Sequence, residues 1–193
     1  GITLALAMAE AGWDVVLIEA GGDRFDKAGQ DFLRAQAVSP AAHSPGEMYR
    51  RRQLGGTSAV WGGRCIPFDP IDFETRDWMP AARWPIAHEE IARYYPRAMA
   101  LAEAGALDVT AAAADPREAD PALPGTGGDA ITERVERFSH PTDFGGWYRR
   151  RLAASRQVRL FTHAAVEQLL TTADGATAAG VRLRLDGGRT VTI

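Results

Sequence analysis

The apolar positions follow two periods in succession at the start of the chain. Ile2-Thr3-Leu4-Ala5-Leu6-Ala7-Met8-Ala9-Glu10-Ala11 are strong helix formers with little polarity, which predicts a helix packed against a sheet. Gly12 suits the position just past the helix end. Trp13-Asp14-Val15-Val16-Leu17-Ile18 then predicts a parallel strand buried on both faces, because its apolar residues run together instead of alternating. Glu19 ends the run, and Ala20-Gly21-Gly22 follow it.

Periodicity is weak over 22–53, where Phe25 to Ala37 could hold a short helix and Ser39-Pro40 and Ser44-Pro45-Gly46 mark loop. A loop of this length is more often functional than idle. Residues 65–86 are dense in proline, aromatics and acids, which predicts an extended, well-packed segment. Residues 87–104 read as helix ending at Gly105, and Pro96 should kink or divide it. Residues 108–130, poor in large apolar side chains, read as a mobile surface loop. Ile131 to Phe138 is a strand candidate, and Asp143 to Arg156 leads through Phe144-Gly145-Gly146-Trp147-Tyr148 into an arginine-rich helix. Val158–Thr162 reads as a short strand. After it, 165–171, 179–185 and 190–193 are separated by glycine turns and predict a small antiparallel meander.

Composition adds bounds. The chain has 193 residues, 46% hydrophobic and 24% charged, near ordinary globular values. The net charge of −3 gives no global case for nucleic acid or an anionic membrane, and no apolar run reaches transmembrane length. Lys27 is the only lysine, a bias of base composition more than of chemistry in so alanine-rich a chain. Cys65 is the only cysteine, which excludes an internal disulfide framework and a cysteine-based zinc cluster. Gly1 opens inside a helical pattern and Ile193 closes inside a strand pattern, so a fragment of a longer protein is expected and localisation stays open between cytoplasm and periplasm.

Two stretches carry candidate chemistry. Leu54-Gly55-Gly56-Thr57-Ser58-Ala59-Val60-Trp61-Gly62-Gly63-Arg64 follows Arg50, Arg51 and Arg52. Its glycine pairs leave backbone amides unshielded, Thr57 and Ser58 add hydroxyls, and a diphosphate would be well received there. A glycine-rich surface turn beside a basic patch is the plainer reading of the same residues. Upstream, helix, glycine, strand and acid read as the second half of a dinucleotide-binding βαβ unit, the plainer reading being any α/β protein in which an acid happens to end a strand. Gly1 stands where the last fingerprint glycine would, because Glu19 then falls at about the usual spacing of roughly 20 residues for the ribose-holding acid. An acid at this point favours a free ribose 2′-hydroxyl over a 2′-phosphate.

Other constellations carry less. Asp69, Asp72 and Glu74 lie in a proline-rich setting without histidine, which favours structural hydrogen bonding over metal ligation. The arginine runs 50–52 and 149–151 lack any nucleic-acid recognition motif. Trp78, Trp84 and Trp147 read as core or interface before substrate platform.

The ordered set Val16-Leu17-Ile18-Glu19-Ala20-Gly21, Arg52-Gln53-Leu54-Gly55-Gly56-Thr57-Ser58-Ala59-Val60-Trp61-Gly62-Gly63, Pro67-Phe68-Asp69-Pro70-Ile71-Asp72-Phe73, Trp84-Pro85-Ile86 and Tyr94-Tyr95 resembles the N-terminal half of the glucose–methanol–choline (GMC) oxidoreductases, which use FAD to oxidise alcohols and sugars. The resemblance covers 1–105, fades over 106–150 and returns over 156–193. It implies an α/β fold: an incomplete Rossmann-like FAD-binding domain over 1–75 and 156–193, with 76–155 as part of an inserted α+β substrate domain. It also implies that Gly1 lies near the FAD pyrophosphate and that Glu19, with Ala20 and Gly21 beside it, holds the adenosine ribose. Arg52 matches the arginine before the family's glycine signature, here Gly55, Gly56, Thr57 and Ser58, and Trp61 and Gly62 close it. Val166 resembles the valine whose backbone holds adenine. Trp61 stands where many members carry asparagine, and the loop has no histidine for covalent attachment, so FAD is expected to be non-covalent.

Flavin-dependent alcohol oxidation needs a base for the hydroxyl proton while hydride passes to the flavin N5. In the family that base is a histidine near the C-terminus, and none of His43, His88, His140 and His163 sits in a matching motif. The catalytic pair is therefore expected beyond Ile193, and an alcohol or sugar is the expected substrate, with the electron acceptor open. A NAD-dependent oxidoreductase built on the same Glu19 logic, or a truncated non-catalytic protein that keeps a nucleotide-binding-like fold, are the alternatives.

Overall fold

In the computed structural model, the described residues are 1–34, 44–79, 84–110, 135–140 and 143–193. In chain order, α1 (Ile2–Glu10), β1 (Val15–Ile18) and the single turns α2 (Lys27–Gln30) and α3 (Gly46–Tyr49) come first. β2 (Arg64–Cys65), α4 (His88–Ala92), α5 (Tyr95–Leu101) and β3 (Arg137–Phe138) follow. α6 (Phe144–Ala154), β4 (Val158–Phe161), β5 (Ala164–Thr171), β6 (Ala178–Leu185) and β7 (Thr190–Thr192) complete the set. Mixed helices and strands make this an α/β protein. The chain divides into two compact units, Gly1–Trp61 with Thr142–Ile193, and Gly62–Pro141.

In the first unit, α1 ends as its sequence predicts. Gly12 takes φ +87°, its amide donates to the Ala9 carbonyl at 3.0 Å, and the Trp13 amide donates to the Met8 carbonyl at 3.0 Å. These paired bonds satisfy carbonyls that the helix end would leave free. β1 leaves this turn and pairs in parallel with β4, Val15 opposite Val158 through Ile18 opposite Phe161. Ile2, Ala5 and Leu6 of α1, Tyr148 and Leu152 of α6 and Val158 of β4 are buried and form the core beside this two-stranded sheet. Each large apolar side chain buried there contributes roughly 1.5–3 kcal/mol.

Burial of β1 on both faces, expected from its apolar run, is not what the fold uses. Leu17 lies toward Gly1, whereas Val16, pointing the other way by strand alternation, is 40% exposed and Trp13 is 63% exposed. The C-terminal meander forms as expected, β5 pairing antiparallel with β6 and β6 with β7. Two of the three arginines of α6 are used within the unit: Arg149 pairs with Asp23 at 3.0 Å, and Arg151 with Glu10.

In the second unit, β2 and β3 pair antiparallel and Arg64 binds Glu136. The helical segment expected over 87–104 is divided, and Pro96 sits in the first turn of α5, where its missing amide costs no bond. Asp72 closes a tight turn, accepting from the Asp69 amide at 3.0 Å and from Arg76 at 3.2 Å. Phe68, Phe73, Trp84, His88 and Tyr95 pack ring against ring at centroid distances of 5.5–6.4 Å. Trp78 is 78% exposed. The mobile loop expected over 108–130 lies almost wholly outside the described residues, as do His43, Ser39-Pro40 and the first part of the strand expected from Ile131. Among the described residues, no helix is long and apolar enough to cross a membrane.

Candidate functional site

Three segments distant in sequence converge on a cavity of about 260 Å³ in the first unit. Gly1, Ile2 and Thr3 at the start of α1 form one wall, and Leu17, Ile18 and Glu19 at the carboxyl end of β1 form a second. Leu54, Gly55, Gly56 and Ser58 form the third, with Phe144 from the start of α6. Gly1 is the N-cap of α1 and no side chain caps the helix, so its first amides face the cavity end without an intrahelical acceptor. Their partial positive charge and the helix dipole favour an anion.

Glu19 is held by backbone on both sides. Its amide donates to the Phe161 carbonyl at 2.8 Å, and its carbonyl accepts from the Ala164 amide at 3.0 Å. One carboxylate oxygen accepts from the Gly21 amide at 2.7 Å. Burial pushes the Glu19 carboxyl above its usual range, against the Gly21 bond and the attraction of Arg52, which pull it down. A half-buried carboxylate with one oxygen engaged has acceptor capacity left on the other for a hydroxyl.

The glycine loop is built differently at its two glycines. Gly55 takes φ +89° and lies so close to Gly145 that a Cβ on either residue would overlap the backbone of the other segment. Gly56 takes φ +56°, and a Cβ there would find its nearest neighbour, the Arg51 carbonyl, at 3.9 Å. Gly55 is therefore committed to packing against α6, and Gly56 is the glycine that keeps its side open. Residues 56–59 form a single tight helical turn, in which the Thr57 carbonyl accepts from the Val60 and Trp61 amides at 3.0 Å each.

Of the residues singled out in the sequence, Gly1, Glu19, Gly55, Gly56 and Ser58 line the cavity, and Ala20 and Gly21 continue the chain from Glu19. Thr57 is exposed, and Trp61 packs edge-on against Phe144 with ring centroids 6.0 Å apart. Val166 stands in β5 opposite Leu183, half-exposed and away from the cavity lining. Gly62 belongs to the second unit. Arg52 does not line the cavity: its guanidinium pairs with Asp186 at 2.8 Å and lies over the Phe32 ring at 5.2 Å. The neighbouring arginines are also occupied, Arg50 by the Gly46 and Leu33 carbonyls and Arg51 over the Phe25 ring.

Two contributors escape a reading of the sequence. Gln30 is 6% exposed; its amide nitrogen donates to the carbonyls of Glu47 at 2.9 Å and Arg50 at 2.6 Å, and its oxygen accepts from the Arg52 amide at 3.1 Å. It thereby fixes the chain entering the glycine loop. Phe144 walls the cavity; the glycine pair after it, Gly145-Gly146, was the available signal of a close backbone approach. Among the described histidines, none lines the cavity. Compared with protein-family models and with curated proteins, the chain matches none.

Proposed function

We propose that the unit formed by Gly1–Trp61 and Thr142–Ile193 binds the ADP moiety of FAD non-covalently, as the cofactor-holding part of a GMC-type oxidoreductase acting on the CH–OH group of an alcohol or sugar. The observation that carries this reading is the meeting of the α1 N-terminus, Glu19 and Gly56 around one cavity. Amides stand ready for a diphosphate, and a carboxylate stands ready for ribose hydroxyls. The size agrees with a partial site: about 260 Å³ is below the roughly 300–1,000 Å³ of pockets that enclose a drug-sized ligand.

Bound flavin supplies hydride acceptance at N5. The residues of this chain bind and orient: the first amides of α1 and the Gly56 side of the loop take the diphosphate, and Glu19 accepts from the ribose. No residue here is assigned a catalytic role.

Titration of the purified chain with FAD and with ADP, followed by calorimetry and flavin fluorescence, tests the reading. Saturable binding of both, with flavin co-eluting on gel filtration and released by acid, is expected. Failure to bind either at millimolar concentration overturns it.

A further inference from the structure

We propose that Arg52, Asp186 and His163 form a positioning triad that sets the distance between two walls of the nucleotide cavity, the end of β1 and the glycine loop. The inference rests on the nucleotide-binding reading above. Asp186 is the shared member: one oxygen accepts from the Arg52 guanidinium at 2.8 Å, and the other lies 2.6 Å from His163 Nδ1. These two bonds hold the Asp186 carboxyl below the usual range, with Arg52 the larger cause and His163 the next.

Each partner is anchored to one wall. The Arg52 side chain is 9% exposed, and its Nε is buried without a hydrogen-bond partner among the described residues, so Asp186 is the principal compensation for a largely desolvated cation. Arg52 precedes Gln53, which bridges to Gly22, and Leu54, whose amide donates to the Gly22 carbonyl at 2.8 Å. Gly55 and Gly56 of the cavity follow directly.

His163 holds the other wall. Its amide donates to the Gly21 carbonyl at 2.9 Å, and its ring packs so tightly on Gly22 that a Cβ there would fall 2.7 Å from the imidazole. It sits at φ +57°, a left-handed conformation that a non-glycine residue keeps only when its surroundings impose it. The Asp186 amide returns to the His163 carbonyl at 3.2 Å. Arg52, Gly22, His163 and Asp186 thus close a ring of contacts between the strand end that presents Glu19 and the loop that presents Gly56.

A ligand spanning both walls needs their separation held; a ligand touching one wall does not. ADP reaches from Glu19 to the loop amides, whereas adenosine reaches only Glu19. Asp186→Asn keeps the shape but lets the side chain accept from only one of its two partners. It is expected to weaken ADP binding about tenfold while leaving adenosine binding within about twofold of wild type. Asp186→Glu should recover part of the ADP affinity. If Asp186→Asn does not fold, His163→Asn, whose new residue tolerates the left-handed backbone, should give the same split. Equal losses for ADP and adenosine, or no loss for ADP in a folded variant, overturn the triad. A wild-type protein that binds neither ligand overturns instead the nucleotide reading on which the triad rests.

Discussion

Ser58 ties the glycine loop to α6 through Phe144: its hydroxyl donates to the Gly55 carbonyl at 2.7 Å and accepts from the Phe144 amide at 3.1 Å. The Phe144 amide is one of the orphan donors at a helix start, and Asp143 covers the next, accepting from Gly145 at 2.9 Å. With both its donor and one acceptor position in use, the Ser58 hydroxyl serves the loop's architecture before it serves a ligand. Ser58→Ala is expected to cost about 1–2 kcal/mol in urea denaturation, the price of an orphaned, partly buried amide. Its ADP affinity should fall by less than that of a variant altered at the cavity surface. An unchanged denaturation midpoint would show that the hydroxyl is dispensable to the loop.

The two glycines of the loop should separate stability from binding. Gly55→Ala drives a Cβ into the backbone around Gly145 at a positive φ, and a loss of at least about 3 kcal/mol, or failure to fold, is expected. Gly56→Ala meets open space and bears only the left-handed cost of about 1–2 kcal/mol. Gly56→Asn, whose side chain tolerates the left-handed backbone, should stay folded by circular dichroism yet lose ADP binding by calorimetry. Equal destabilisation at both positions would contradict the division of roles.

Local features were legible in the sequence because local physics decides them. The helix over 2–10, its glycine stop, the helix break at Pro96 and the final meander each follow from propensity, a backbone constraint or alternation within a few residues. Long-range pairing was not legible. Nothing in Val15–Ile18 names Val158–Phe161 as its parallel partner, and nothing in the arginine before the loop names Asp186. Gly55 and Gly56 look alike in sequence; only the approach of Gly145 tells them apart. His163 reads as an ordinary histidine until its backbone conformation and Asp186 are seen together. Gln30 lies in a stretch of weak periodicity, so its three bonds to a segment some 20 residues on had no local signature.

That position supports a test of the loop's approach. Gln30→Met fills a similar volume but leaves the Glu47 and Arg50 carbonyls and the Arg52 amide without their partner. At about 1–3 kcal/mol for each buried group left unsatisfied, and with water able to reach the half-buried Arg52 amide, a total loss of roughly 3 kcal/mol is expected. Gln30→Glu should lose at least as much: it still accepts from the Arg52 amide, but its second oxygen faces the Glu47 and Arg50 carbonyls in a buried setting. Thermal melts of the two variants beside wild type decide the order.

Glu19 offers a test in which stability and binding move in opposite directions. Burial raises its carboxyl above the unfolded value, so the folded chain holds a proton there that the unfolded chain has already released. Through the window from the ordinary carboxylate range up to the raised value, Glu19 makes stability fall as pH rises. Glu19→Gln removes that slope while its side-chain oxygen still accepts from the Gly21 amide, so the variant is expected to be at least as stable as wild type at neutral pH. On the proposed reading, in which ribose hydroxyls donate to the charged carboxylate, ADP binding to wild type should release a proton and tighten as pH rises through the same window. Glu19→Gln should weaken ADP about tenfold, near the 1.5 kcal/mol of one charge-assisted hydrogen bond, and flatten the pH profile. Calorimetry in two buffers of different ionisation enthalpy reads the proton release directly. A wild-type affinity that does not change across this window, matched by the variant, would remove Glu19 from the site.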